Sequence, residues 1–198
     1  MFRVFNVARI LAPVPQWIRA ALSRLPATLG LVFLLCIPIL FVVTIHQSTD
    51  QRLLVPGEPA PVLILGNINS NEVHNVDLRG HPHAILFFGA ECPHCQRELS
   101  HFDQIEKVYS NRVKFLAVSQ SEDLKTSELL HAIGFKVQTM IDRNRSAGSA
   151  FGVDIVPALF LVDSNEIIGY SRSGELSYGA MEKALLLFLG ENTAPEIR

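Results

Sequence analysis

The stretch AILFFGAECPHCQREL, Ala84 to Leu99, decides how this chain folds. Ala84 to Phe88 is an unbroken apolar run, the mark of a strand buried on both faces. Gly89-Ala90-Glu91 then leads into Cys92-Pro93-His94-Cys95. From Cys95 the apolar residues follow a helical period: Leu99, Phe102, Ile105 beside Glu106, and Tyr109. A C-x-x-C at a strand–helix junction sets the first sulfur at the helix N-terminus, where free N–H groups and the helix dipole favour a thiolate. The second sulfur lies one turn further in, within reach but less exposed. Cys92 is therefore the expected nucleophile toward a disulfide in another protein, and Cys95 the resolving cysteine that releases the partner. The two would close a redox-active disulfide, Cys92–Cys95. His94 in the Pro93-His94 insert can stabilise the Cys92 thiolate by charge or hydrogen bond, which makes the pair a stronger oxidant than a Gly-Pro insert would.

Other uses of two cysteines fit less well. Half of a zinc site would need His81, His83 or His101 to complete it, yet no second C-x-x-C exists. His81 and His83 flank Pro82 in a turn and read as solvated loop residues. Haem attachment needs a histidine directly after Cys95, where Gln96 stands. A purely structural disulfide closing so short a loop removes little unfolded-chain entropy. No metal and no organic cofactor is called for, since electrons pass through the cysteine pair.

Outward from this centre the chain alternates. Val62–Leu65 reads as a short strand, and Asn67–Gly80 as a polar, turn-rich segment. Val113–Ser119 is a second buried strand, Leu124–Ile133 a helix ending near Gly134, and Val137–Ile141 strand-like. Ser146–Phe151 is a short helix. Ala158–Val162 and Glu166–Ser171 form a hairpin around Asp163-Ser164-Asn165. Ser177–Leu189 is a last amphipathic helix, with Gly190 as its C-cap. Strand–helix alternation followed by a hairpin and helix predicts an α/β fold with a mixed central sheet flanked by helices.

The 198 residues are 48% hydrophobic and 18% charged, with a net charge of −2. That balance gives no case for nucleic acid as a partner. The charge is unevenly spread. Residues 1–49 hold Arg3, Arg9, Arg19 and Arg24 and no acid; the first acidic residue is Asp50. Within this part Thr28 to Ile45 (TLGLVFLLCIPILFVVTI) carries no charge. As a helix it would be about 27 Å long, near the lower limit for crossing a bilayer, and membrane helices tolerate an internal proline such as Pro38. The preceding basic stretch is too long for a signal peptide, and His46-Gln47-Ser48 is a poor cleavage site. Leu35 before Cys36 argues against a lipoprotein, and Cys36 reads as an inert mid-span residue. The expected organisation is a basic cytoplasmic segment (1–27), a retained single-span anchor (28–45), a Pro-rich tether (46–61), a domain (62–190) and a tail (191–198). The N-terminus is then cytoplasmic and the domain periplasmic or otherwise extracytoplasmic, anchored in the inner membrane. An Arg-rich mitochondrial presequence is the alternative, weakened by Pro13 and Pro15.

The domain resembles the thioredoxin fold and, within it, the membrane-tethered TlpA/ResA-like branch related to redoxins and AhpC/TSA proteins. The resemblance is carried by DLRG (Asp77–Gly80), AILFFGAECPHCQREL and FGVDIVPALFLVDSNEIIG (Phe151–Gly169). It implies that Pro157 is cis and faces the cysteine pair, and that Val156 offers its backbone to an extended substrate segment as one added strand. It also implies that Glu98 assists proton transfer; by its own spacing Glu98 is equally a solvated helix position. This sequence departs from the pattern at two places. Glu91 replaces the usual tryptophan and opposes thiolate formation at Cys92. Leu86 replaces a buried acid or amide, removing a possible proton acceptor for Cys95. The Pro-His insert is that of DsbA-type oxidants, whereas TlpA/ResA-like reductants carry others, so both directions of electron flow stay open. The expected function is a membrane-anchored thiol–disulfide oxidoreductase. Its partners would be protein disulfides or dithiols and a redox protein that resets the pair. The rivals are a redoxin-type peroxidase, whose Pro-x-x-x-Thr-x-x-Cys setting is not matched here, and a metallochaperone holding copper or zinc on two thiolates.

Overall fold

A computed structural model describes residues 52–68, 70 and 72–191. Seven strands and four helices follow in the order β1 (Leu63–Gly66), β2 (Val73–Val76), β3 (His83–Phe88), α1 (Pro93–Tyr109), β4 (Lys114–Ser119), α2 (Asp123–Ile133), β5 (Thr139–Ile141), α3 (Ser146–Ala150), β6 (Ala158–Val162), β7 (Ile168–Ser173) and α4 (Tyr178–Phe188). They form one mixed sheet in the order β2-β1-β5-β4-β3-β6-β7. β3, β4 and β5 run parallel, and β6 lies antiparallel to β3. The apolar runs therefore take the central positions, since β3, β4 and β6 alone are covered on both faces along nearly their whole length.

Strand alternation sorts the core into two halves. Ala84, Leu86 and Phe88 of β3, with Ala117 of β4 and Leu159 and Leu161 of β6, pack against Leu99, Phe102 and Ile105 of α1 and Met181 and Leu185 of α4. Ile85 and Phe87, with Val118, Phe160 and Val162, face the other way and meet Ala147, Phe151 and Val153. Phe151 and Phe160 pack edge to face at 4.9 Å between ring centroids.

Several expectations need correction. The polar segment Asn67–Gly80 contains β2, an edge strand paired with β1 and mostly exposed, so it needs no apolar pattern to exist. The tether read at 46–61 is not loose over its described part. Leu54 N donates to Phe151 O, Gly57 N to Ile168 O, and Ile168 N to Glu58 O. This strap pairs with the start of β7 at Ile168, and Leu53, Leu54 and Ala60 reach the apolar cluster beneath it. Gly152 (φ +68°) permits the approach, because a Cβ there would overlap the Arg52 carbonyl. The hairpin's second strand begins at Ile168, not Glu166. Asp163 Oδ1 accepts from Asn165 N and Ile167 N, each at 2.8 Å, and Glu166 occupies a left-handed position that the turn consumes. β5 is confined to Thr139–Ile141, shorter than the expected Val137–Ile141. Leu189 caps α4 and Gly190 follows at φ +79°. The anchor expected at Thr28–Ile45 lies outside the described residues, among which no helix is long and apolar enough to cross a membrane.

Candidate active site

The site forms where β3 ends against α1. Cys92 is the N-cap of α1, in extended conformation, and its sulfur accepts from Cys95 N at 3.4 Å. Pro93 at the first helical position has no N–H to leave unpaired. Cys92 is half-buried, and Cys95 is buried among Leu86, Phe88 and Leu99. Both are free thiols here. The exposure order expected from helix geometry is the one found. Burial, helped by the Cys92 sulfur beside it, pushes the Cys95 thiol up to about 12, while Gly89 N at 3.5 Å pulls it down. Cys95 alone is thus a poor nucleophile, and Cys92 is the exposed one.

The Val156–Pro157 peptide bond is cis. The Cys92 thiol donates to Val156 O at 3.8 Å, and the Val156 side chain packs against both halves of the core. Cys92 thus occupies the carbonyl that the sequence left for an incoming segment. Below the cysteines the loop is tied down by residues that drew no attention in the sequence. Ser121 Oγ accepts from Ala90 N at 2.8 Å, and Gln96 Nε2 donates to Ala90 O at 3.0 Å. Ser119 and Thr126 share a buried hydrogen bond of 2.7 Å that fixes the start of α2.

Glu98 is fully buried, so its reading as a solvated helix position is wrong. It sits three residues after Cys95, on the same helix face. Leu176 N donates to its Oε2 at 3.1 Å, and Oε1 has no partner. Burial pushes its carboxyl up to about 7, against the pull of Leu176 N. Leu86 is also fully buried, so β3 itself brings no ionisable group to Cys95 from that position.

The charges at the rim differ from expectation. His94, expected to serve the Cys92 thiolate, turns its Nδ1 to Glu175 Oε2 at 2.7 Å. Arg97 grips the same carboxylate with Nε at 2.7 Å and Nη2 at 2.6 Å. Arg97, then His94, hold the Glu175 carboxyl down to about 2. Glu91, expected to oppose the thiolate, is paired with Lys125 Nζ at 3.0 Å, so its charge is partly met. His83 is buried at the start of β3 and donates from Nδ1 to His81 O, a correction to its reading as solvated: an in-facing strand position overrides the polar side chain. His101, once a candidate ligand, donates from Nδ1 to Leu176 O at 3.0 Å. Glu175, Arg97, Lys125 and Ser121 went unread because nothing local marks them; three of the four lie more than 25 residues from Cys92.

Comparison with known proteins agrees with this geometry. The chain is 26% identical over 145 residues to thiol-disulfide oxidoreductase ResA of Geobacillus thermodenitrificans, covering 72% of this chain and 83% of that protein. It is 26% identical over 152 residues to thiol:disulfide interchange protein DsbE of Xylella fastidiosa, covering 73% and 74%. A thioredoxin-family thiol:disulfide interchange protein from Chlorobium tepidum superposes with a TM-score of 0.59 at 19% identity, over 69% of this chain and 99% of that one. Peroxidoxin BcpB of Mycobacterium tuberculosis superposes with a TM-score of 0.60 at 18% identity, over 69% and 97%, so the fold alone is shared with peroxide-named proteins too. The AhpC/TSA family model matches residues 56–171, from the strap through the cysteine pair to β7, and the chain belongs to the AhpC/TSA family as an oxidoreductase of its thioredoxin-like, ResA-related kind.

Proposed function

We propose that this chain is a membrane-anchored thiol–disulfide oxidoreductase that exchanges disulfides with extracytoplasmic proteins through Cys92 and Cys95. The observation that carries the reading is the pairing of a half-buried cysteine at a helix N-terminus with a buried thiol and a buried carboxyl one turn below it. In the reducing direction, the Cys92 thiolate attacks one sulfur of a client disulfide and expels the other as a thiolate. Cys95 then loses its proton and attacks Cys92 Sγ. The Cys92–Cys95 disulfide forms, the second client sulfur leaves, and two electrons have passed to the client. A partner dithiol returns the pair to its reduced form; with an oxidising partner the same steps run backwards.

The buried thiol needs a proton acceptor at the second step. Once Cys92 is tied to the client, its sulfur no longer adds to the cost of charging Cys95, although burial still opposes it. Glu98, with its raised carboxyl and its unpartnered Oε1, is the group on that helix face able to take the proton. Pro93 pre-sets the helix start, and Val156 with Pro157 borders Cys92 where a client strand would lie. The acid-free basic flank and the charge-free Thr28–Ile45 support an inner-membrane anchor with the domain outside the cytoplasm.

The test is trapping. Cys95→Ser in the membrane fraction should accumulate reductant-sensitive adducts with client proteins, and Cys92→Ser should give none and no insulin-disulfide reduction. Equal adducts from both variants would reverse the two roles, and a mature N-terminus between His46 and Pro61 would remove the anchor.

A further inference from the structure

The loop that joins β7 to α4 touches α1 at four positions of one helical stripe. Glu175 binds His94 and Arg97, Leu176 N donates to Glu98, and Leu176 O accepts from His101. Positions 94, 97, 98 and 101 have the i, i+3, i+4, i+7 spacing of one face. The upper end of this stripe is charged and half-exposed, and it lies at the helix end that carries Cys92. Below it lie the buried carboxyl of Glu98 and then His101. One short loop therefore seats both the rim charges and the interior acid.

At the rim His94 Nδ1 has two neighbours, and the tautomer decides whether it donates to the carboxylate or accepts from the guanidinium. Nδ1 lies 2.7 Å from Glu175 Oε2 and 2.9 Å from Arg97 Nη2. An Arg N–H can only donate, so an Nδ1 that carries a proton must give it to the carboxylate. The Glu175 carboxylate meanwhile accepts the planar fork of Arg97, the strongest arrangement available to such a pair. Arg97 lies within the field of the Cys92 sulfur, whose negative charge adds to that of Glu175 in keeping Arg97 protonated.

We propose that Glu175 is a positioning residue that sets the oxidising strength of the cysteine pair: it orients His94 and cancels part of the positive charge that Arg97 would otherwise present to Cys92. The inference rests on the thiol–disulfide reading above. A thiolate at Cys92 exists in the dithiol form and not in the disulfide, so any cation near it favours the reduced protein and any anion disfavours it. Glu175 is the anion of this cluster. Removing its charge while keeping its shape makes the pair more oxidising, and removing Arg97 makes it less so.

The full-length protein in detergent is equilibrated with reduced and oxidised glutathione at pH 7, and thiols are counted by alkylation. Wild type must first reach a two-electron equilibrium; failure to do so overturns the thiol–disulfide reading and leaves Glu175 with nothing to tune. Given that equilibrium, Glu175→Gln should shift it three- to tenfold toward the dithiol, about 15 to 30 mV at ~30 mV per tenfold. Arg97→Gln should shift it the other way. In 1 M KCl, where screening acts over about 3 Å, both shifts should shrink. A loss of packing moves the two variants in the same direction and ignores salt. Shifts of the same sign, or a Glu175→Gln equilibrium within twofold of wild type, would overturn the proposal. If Glu175→Gln fails to fold, Arg97→Gln and the salt response decide it by the same criteria.

Discussion

The two halves of the core, divided by the central sheet, are built on opposite terms. The half under α3 is built on Phe87, Phe151 and Phe160 in edge-on and tilted contact, and the buried polar groups at its margin, Asp142 and His83, both have hydrogen-bond partners. The half under α1 and α4 holds equally buried leucines and phenylalanines but also a thiol and a carboxyl with an unpartnered oxygen. Burying an ionisable group without a full set of partners costs stability, and here that cost falls beside the reacting sulfur. One half holds the sheet together, and the other carries a buried carboxyl one helical turn from Cys95.

The sharpest way to break this contrast is to damage the apolar half. Phe160→Ala should lower unfolding free energy by about 3–5 kcal/mol, read from the urea midpoint, while the glutathione equilibrium of the folded fraction stays within twofold of wild type. A large change in that equilibrium would mean that the halves are not separable.

The next effect comes from Glu98. Its carboxyl ionises higher in the folded chain than in the unfolded one, so the folded state holds the proton more tightly. The stability this brings is complete below pH about 4.5 and is lost as pH rises through about 7. Between pH 5 and pH 8 the loss should be roughly 2–3 kcal/mol, and Glu98→Gln should flatten it. Glu175 runs the other way: its carboxyl is held low, so its contribution is present above the ordinary carboxylate range and disappears as pH falls toward about 2. Two carboxylates seated by one loop thus respond to pH in opposite directions because one is buried and the other is paired with cations. A wild-type chain equally stable at pH 5 and pH 8 would show Glu98 to be open to water. In Glu98→Gln, resolution by Cys95 at pH 7 should slow by about 100-fold, followed by release of a trapped client.

The smallest effect is expected at the exposed Glu91–Lys125 pair. Lys125→Gln leaves the Glu91 charge unmet beside Cys92 and should shift the glutathione equilibrium toward the disulfide by less than about threefold, in line with the ~0–1 kcal/mol of exposed pairs. A larger shift would make Glu91 a stronger influence on Cys92 than its exposed, paired position allows.

Much of this chain is written locally. AILFF, VKFLAVS and ALFLV are central strands because their apolar runs can be satisfied only where both faces are covered. Cys92 caps α1 because Pro93 starts a helix and the period from Cys95 continues it. The segment containing β2 was illegible as a strand, since an edge strand takes its identity from the neighbour it pairs with. The strap at 52–61 looked like a tether because three prolines and a glycine favour extended backbone, and extended backbone is also what can pair with the start of β7.

The thiol chemistry is legible in the chain alone: two sulfurs one helical turn apart at a strand–helix junction, with the second less exposed than the first. These depend on spacing and period, which are local quantities. Only the tertiary structure decided how that chemistry is tuned. Whether Glu98 faces water or the core, and whether His94 serves Cys92 or Glu175, depends on a loop nearly eighty residues further along the chain. Charge and burial act through space, and spatial neighbours this distant in sequence leave no pattern for a local reading to find.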